Sequence, residues 1–470
     1  MKVAPPRTPF RPKPVALLIP GYRHLTVQSV DGTKVAAGRE ATENLLASLS
    51  GHVCYVPRAL RSLRHTTGAQ HWTLHSWRGH EARMTYNPTG LSITSLRGTL
   101  DDSDDPFMDL TRALAWLRGY GVAPGSISQM AWSLWRASLP AQITISADPE
   151  FSRAAFYGGR QEIIEPRNYQ HMAAVDIRAA YPCAMASHDY ALSLREVSAA
   201  TTLDPDIPGI ARATVGIPTD LPYAVVPQRV ARHEIQFRWG IVTGSWPWCE
   251  LAAAAALGCD IKVHQSWAPR RTGDLFGTWW SMAQTGRSLP GAASMLAKAV
   301  ANSLWGQFAM SGDEHDLITW ADEAGNDSVS TPQPNRSLPH LWTCHIAAET
   351  TARVRVRLLT EGMYGSRVRP VHVDTDGIII RASEATRAPE EPGNATLGTW
   401  QVKERMSRLQ IRAPQVYRYT CGAGCGVTHA RWHYVASGYS RDAAPLAFRD
   451  LAAGTRISVL ASPDTCLPPV

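Results

Sequence analysis

The chain has 470 residues, 44% of them hydrophobic and 19% charged, which excludes wholesale disorder and allows two or three domains. A net charge of +7 fits a polyanion-binding protein, although the excess is small for this length. Eight cysteines are too sparse for a disulfide scaffold and no apolar run reaches the ~20 residues of a membrane span, so a reduced cytoplasm and no membrane partner are expected.

Residues 1–14 carry Lys2, Arg7, Arg11 and Lys13 among five prolines and read as a basic arm; the apolar stretch 15–19 is too short for a signal-peptide core. Residues 15–19 and 25–30 read as strands around the Pro20-Gly21 turn. Residues 40–50 have helical spacing, 53–56 read as a buried strand, and 71–97 alternate as strands do. Residues 109–117 predict an amphipathic helix with Leu110, Leu114 and Leu117 on one side, preceded by an acidic loop, 101–105, suited to a helix N-terminus. Such alternation predicts a mixed α/β domain.

A short strand at 172–176 leads into Asp176-Ile-Arg-Ala-Ala-Tyr181-Pro182, with Tyr181 expected at the start of a turn. Two helices at 272–287 and 290–308 predict an antiparallel pair. The second contains Lys298-Ala-Val-Ala-Asn302-Ser303-Leu-Trp305-Gly306, where Lys298, Asn302 and Trp305 share a face at i, i+4 and i+7. Proline-containing surface loops are expected at 332–339 and 388–394. His372-Val-Asp374-Thr-Asp376-Gly377, between Val371 and Ile378-Ile-Ile380, predicts a hairpin with buried arms and two aspartates at its tip. Strands at 416–419 and 433–435 flank a glycine-rich turn.

Neighbouring buried carboxylates are costly unless a cation compensates them, and oxygen-only ligation favours magnesium or manganese. Two-metal chemistry needs carboxylates from different elements converging on ions about 3.5–4 Å apart. Asp176 and Asp374, each at a strand end, meet that requirement. A lysine one helix away supplies charge for a triphosphate. Each segment alone has an ordinary reading: an Asp-rich turn, a core tyrosine, a surface lysine above a packed tryptophan.

Taken together and in order, the three segments resemble motifs A, B and C of family B DNA polymerases: D-x-x-x-x-Y-P, K-x-x-x-N-S-x-Y-G and Y-x-D-T-D-S. The resemblance implies an α/β (α+β) right-hand polymerase with a palm β-sheet, helical-hairpin fingers and a small thumb. A ribonuclease H-like exonuclease-type domain would precede it. The implied reaction is template-directed deoxynucleotidyl transfer to a primer 3′-hydroxyl. Asp176, Asp374 and the Ile177 backbone carbonyl would hold two Mg2+ or Mn2+ ions. Asp376 is needed in the family without always being a ligand. Lys298 and Arg287 would contact the triphosphate, Asn302 and Trp305 the nascent base pair, and Tyr181 the sugar, where it selects deoxynucleotides. Phe156-Tyr157-Gly158-Gly159 resembles the Y-x-G-G linker that contacts the template, and Gln415-Val-Tyr417 the K-x-Y motif that steadies the primer.

The compact chain is most similar to the protein-primed polymerases of phages and linear plasmids. This implies primer–template DNA, dNTPs and a terminal protein as partners, in a bacterial host's cytoplasm. The expected boundaries are an arm at 1–14, an exonuclease-like domain at 15–150 and palm at 151–271, with an insertion at about 190–275 that would bind terminal protein. Fingers at 272–310, palm at 311–412 and a thumb region at 413–470 follow. Gly377, His372, Trp305 and Gln415 depart from the family's serine, tyrosine, tyrosine and lysine, and Arg412 or Arg418 is a candidate replacement for the lost lysine. These departures keep open a decayed, merely DNA-binding reading; the face of Lys298 and Asn302 argues against a nuclease. Proofreading is expected to be lost: the strand at 15–19 carries no acid, Tyr55-Val-Pro-Arg-Ala-Leu-Arg61 stands in the second nuclease motif's place, and only Asp109 could align with the third. Cys421, Cys425, His429 and His433 have zinc-like spacing, but a hairpin turn with incidental thiols is the expectation.

Overall fold

The computed structural model describes residues 15–20, 24–29, 32–37, 44–45, 48–49, 53–56, 83–85, 92–95, 103–140, 143, 145, 150–165, 168–200, 202–231, 234–309, 319–321, 327–329, 343–365, 368–387, 397–421, 432–436 and 448. The arm at 1–14, most of the helix expected at 40–50, the loops at 332–339 and 388–394, and Cys425 and His429 lie outside these residues. None of the described helices is long and apolar enough to cross a membrane.

Strands β1 (Val15–Pro20), β2 (His24–Ser29), β3 (Gly32–Ala37), β4 (Val53–Val56), β5 (Arg83–Thr85) and β6 (Ser92–Ser95) form one sheet in the order β3-β2-β1-β4-β6-β5. β1 pairs antiparallel with β2 and parallel with β4, which pairs parallel with β6. Val15, Ala16, Leu17 and Leu18 are all buried, so β1 is covered on both faces. Helix α1 (Pro106–Arg118) follows, with Pro106 in its first turn and the Asp105 carboxylate accepting from Met108 N. The acidic loop thus ends in an N-cap. Helix α2 (Ile127–Ser138), which the sequence reading missed, opens on a Ser126/Gln129 capping box.

After α3 (Glu150–Ala154) come β7 (Arg160–Ile163), β8 (Asn168–Ile177) and α4 (Ala180–Ala186). Tyr181 and Pro182 lie in the first turn of α4 rather than in an open turn, after Ala179 at φ 54°. An insertion follows: β9 (Tyr190–Val197), β10 (Ile210–Ile217), β11 (Pro227–Ala231), β12 (Glu234–Phe237), β13 (Gly240–Pro247), α5 (Trp248–Ala256) and β14 (Asp260–Gly273). Its main sheet runs β13-β10-β14-β9, with β11-β12 as a separate hairpin. The helix pair expected as fingers is α6 (Gly277–Arg287) and α7 (Ala293–Gln307). The first helix starts later than expected because 272–273 still pair with β9, Gly273 opposite Tyr190.

The hairpin β15 (Thr319–Ala321)–β16 (Asp327–Val329) and helix α8 (Cys344–Arg357), which continues as a π-helix over Leu358–Gly365, precede the rest of the palm. That consists of β17 (His372–Thr375), β18 (Gly377–Arg381), β19 (Trp400–Ala413), β20 (Val416–Cys421) and β21 (His433–Ala436). The palm sheet is antiparallel, in the order β21-β20-β19-β8-β18-β17-β7. One core joins β1, α1 and α2 to α6, α7 and the start of α8; a second joins the palm sheet, the insertion sheet and the rest of α8.

Candidate active site

The palm register places five residues in one row across adjacent strands: Gln401, Asp176, Gly377, Asp374 and Gln161. Cross-strand partners point to the same face. Asp176 and Asp374 therefore flank Gly377 on one surface, their backbones roughly 10 Å apart at two strand spacings. A Cβ at Gly377 would lie 3.0 Å from Asp176 Cβ and 2.9 Å from Val175 O, so the glycine keeps the gap between the carboxylates open. The hairpin tip is strained: Thr375, β-branched, sits at φ 62°, and Asp376 N donates to Asp374 O at 2.7 Å. Asp376 O in turn accepts from Ile177 N at 2.9 Å, fixing the tip to β8.

Burial, with the nearby Asp176 and Asp374 charges, pushes the Asp376 carboxyl up to about 7. Among the described residues no set of three or more His, Cys, Asp or Glu side chains is arranged to hold a metal ion. What the row offers is two carboxylates around an open gap, an adjoining excess of negative charge and the Ile177 backbone beside them. These carboxylate and carbonyl oxygens are donors of the kind that hard divalent cations take.

On α7, Lys298 and Asn302 lie on the exposed side and Trp305 is half-buried, with Lys298 close enough to Asp176 and Asp376 to feel their charge. Partial burial and the cations Arg287 and Lys403 hold the Lys298 ammonium below its usual range, against Asp176 and Asp376. Arg287 ends α6 with its Nη1 buried and without a hydrogen-bond partner. The Tyr181 ring stacks on Trp305, centroids 4.6 Å apart at 14°, and its hydroxyl is buried without a partner. Phe156 meets the other side of this group, 6.3 Å from Trp305. Motif A, motif B and the linker thus share one aromatic cluster.

The linker's glycines are explained by contact. A Cβ at Gly159 would approach Thr375 Cγ2 to 2.7 Å and the Tyr181 hydroxyl to 2.9 Å. The carbonyls of Tyr157 and Gly158 accept from Arg355 Nη1 at 2.7 and 2.8 Å. Arg355 also forms a buried bidentate pair with Glu250 at 2.8 and 2.9 Å. Neither Arg355 nor Glu250 was singled out by the sequence.

The family model described as DNA polymerase type B, organellar and viral, matches residues 125–331. The segment that carries Asp176, Lys298 and Asn302 is thus similar to type B DNA polymerases. Its fold is that of phi29 DNA polymerase: the ternary complex of that enzyme with primer–template DNA and incoming nucleotides superposes at TM-score 0.65 and 11% identity, covering 92% of this chain and 93% of the other. Its complex with single-stranded DNA gives TM-score 0.63 and 12% identity, covering 94% and 95%. No curated protein matches the sequence.

The departures from the motifs acquire partners in this chain. Gln415, at φ 56°, donates from Nε2 to Asp374 Oδ1, and its backbone N reaches His372 Nε2 at 3.3 Å. Tyr417 packs edge-on against the buried His372 at 5.4 Å. The cation at the site is neither Arg412 nor Arg418. Arg412 lies over Phe448, and Arg418 over Trp432 and Phe448. It is Lys403, whose Nζ is 3.0 Å from Asp176 Oδ2 while Gln401 Nε2 donates to Oδ1 at 2.8 Å. Register shifts between Val402 and Glu404, making Lys403 the extra residue of a bulge; that is how two nearby β19 side chains reach one carboxylate.

Asp109, the one candidate nuclease carboxylate, is buried at the interface with the fingers and accepts from Ala292 N at 3.1 Å. Of the zinc-like series, Cys421 Sγ and His433 Nε2 stand 3.2 Å apart across β20 and β21. Pairing of Tyr419 with His433 brings them together across the hairpin.

Proposed function

We propose that Asp176 and Asp374 hold the divalent ions of this DNA polymerase, that Lys298 and Arg287 receive the dNTP triphosphate, and that the N-terminal domain does not proofread. The observation that carries the reading is the row Gln401–Asp176–Gly377–Asp374–Gln161, with Lys298 of α7 near enough to feel the charges of Asp176 and Asp376. Two Mg2+ or Mn2+ ions, when bound, activate the primer 3′-hydroxyl and stabilise charge on the α-phosphate and leaving oxygen. Asp176, Asp374 and the Ile177 carbonyl are the proposed ligands, and Asp376 adds negative charge beside them.

The primer hydroxyl attacks the α-phosphate, the bond to the bridging oxygen breaks, and pyrophosphate departs. Lys298, with its ammonium held below the usual range, neutralises that pyrophosphate and is placed to protonate it. The Tyr181–Trp305 stack carries the sugar and base, so that Tyr181 excludes a 2′-hydroxyl. Asn302 faces the nascent pair, Phe156 to Gly159 the template, and Tyr417 the primer. The intact carboxylates and Lys298 favour this reading over a decayed enzyme.

The phi29 ternary complex contains primer–template DNA and incoming nucleotides; the same partners are proposed here. Priming from a terminal protein bound by the insertion at 190–275, in a host cytoplasm, completes the proposal. Extension of a primed template with one dNTP omitted at a time tests it. Stops one nucleotide before each omitted base support templated synthesis; untemplated or absent extension contradicts it. Adding a hydroxyl-bearing terminal protein in place of the primer tests the priming mode.

A further inference from the structure

The nucleotide-binding helices do not stand alone. Two N-terminal tryptophans hydrogen-bond to α6 and its approach: Trp135 Nε1 to Leu275 O at 3.0 Å, just before the helix, and Trp116 Nε1 to Met282 O at 3.1 Å, at its middle. Gly286 lies so close to the Trp116 ring that a Cβ there would come within 2.5 Å of it. α7 is held at its far end by Gln307 Nε2 donating to Ser128 O at 2.8 Å. Its near end is held by Asp109.

Asp109 is 6% exposed. Its Oδ2 accepts from Ser103 Oγ at 2.7 Å and from Ala292 N at 3.1 Å, and its Oδ1 from Arg112 Nη1 at 3.1 Å. Ala292 is the N-cap residue of α7 and has no side-chain acceptor of its own. The donor that a capping-box glutamate takes locally is therefore taken by a carboxylate 183 residues away. The negative charge also suits the positive end of the helix. Gly291, at φ 64°, is where the chain makes this approach; a Cβ there would lie 2.8 Å from Asp109 Oδ1. Two turns along the same helix stands Lys298.

We propose that Asp109 is a positioning residue of the nucleotide site, anchoring the N-terminus of α7 so that Lys298 and Asn302 meet the incoming dNTP. The inference rests on the proposed roles of those two residues. It gives the exonuclease-type domain a part in synthesis: its helices are the wall against which the fingers are held.

The test compares wild type, Asp109→Ala and Asp109→Asn by two measurements. One is hydrogen exchange of peptides spanning 291–297, without substrate; the other is single-nucleotide incorporation on a primed template. Asparagine retains an oxygen for Ala292 N and Ser103 Oγ. The expected result is faster exchange and a KM for dNTP raised roughly fivefold in Asp109→Ala, the scale of a lost cap. kcat and primer–template affinity should stay near wild type, and Asp109→Asn should restore both readouts. Unchanged KM in Asp109→Ala, with or without faster exchange, overturns the proposal. So does an equal loss of kcat and DNA binding, the mark of general destabilisation. A wild-type chain that cannot extend primers refutes the polymerase assignment instead, and the substrate-free exchange data tell the two failures apart.

Discussion

Tyr181 is held from three directions: by the Trp305 ring, by burial in the first turn of α4, and by Gly159, which has room for no side chain against its hydroxyl. A residue so fixed makes a rigid steric gate. Tyr181→Val is expected to raise ribonucleotide incorporation relative to deoxynucleotide by more than tenfold while leaving primer–template affinity unchanged, as measured by competing rNTP and dNTP on one template; about 1.4 kcal/mol of discrimination suffices. Asp376 gives a pH prediction. Its carboxyl, raised to about 7 by burial and by Asp176 and Asp374, is protonated in the metal-free protein below that pH. Its ionised form, disfavoured in the fold, lowers metal-free stability as pH rises from about 4 to 7, and divalent metal compensates it. Mg2+ affinity should therefore rise through pH 7, with proton release on binding at pH 6.5 but little at 8.5. Calorimetry in buffers of different ionisation heat reads both, and a flat profile contradicts the assignment. At this scale the sequence disclosed the residues whose chemistry sits within a short motif. It did not disclose Lys403, whose partner Asp176 is on another strand and whose reach depends on a bulge that leaves no local signal.

Between elements, the linker and α8 do most of the joining. Arg355 ties α8 to Glu250 on α5 and to two linker carbonyls, with both charged side chains under 5% exposed. Removing one partner of such a pair leaves the other charge buried and unpaired. Arg355→Ala should cost about 3–5 kcal/mol in denaturant unfolding; a loss below about 1 kcal/mol, the worth of an exposed pair, would show that the pair is not buried in solution. The elements that escaped the sequence did so for physical reasons. α8 is buried from Cys344 through Arg355, so it shows no apolar stripe with a polar face opposite. β14 was hidden because only Ser266 of its 14 residues is buried, so no buried apolar face marks it. α2 was legible in principle from Ser126 and Gln129 and was overlooked. The motif-bearing elements, β8, α7 and the β17–β18 hairpin, were legible because their apolar periods and their chemistry coincide.

Across the molecule, the palm row and the fingers belong to different cores, and the nuclease-type sheet shares its core with the fingers. Under the proposed loss of proofreading, the N-terminal domain serves as the packing partner of the α6–α7 pair. Incubation with 3′-labelled single-stranded DNA and Mg2+ should accordingly release no nucleotide at a rate comparable to synthesis; comparable release, abolished by Asp109→Ala, would contradict the loss of proofreading. The central claim is that Asp176 and Asp374 together hold the catalytic ions. Primer extension by Asp374→Asn, alongside its primer–template affinity, tests that claim most directly. Loss of metal-dependent charge stabilisation worth several kcal/mol predicts extension slowed by about 10³-fold, with DNA binding within a few-fold of wild type. A mutant that extends primers at the wild-type rate would show that the ions, and the reaction, are held elsewhere.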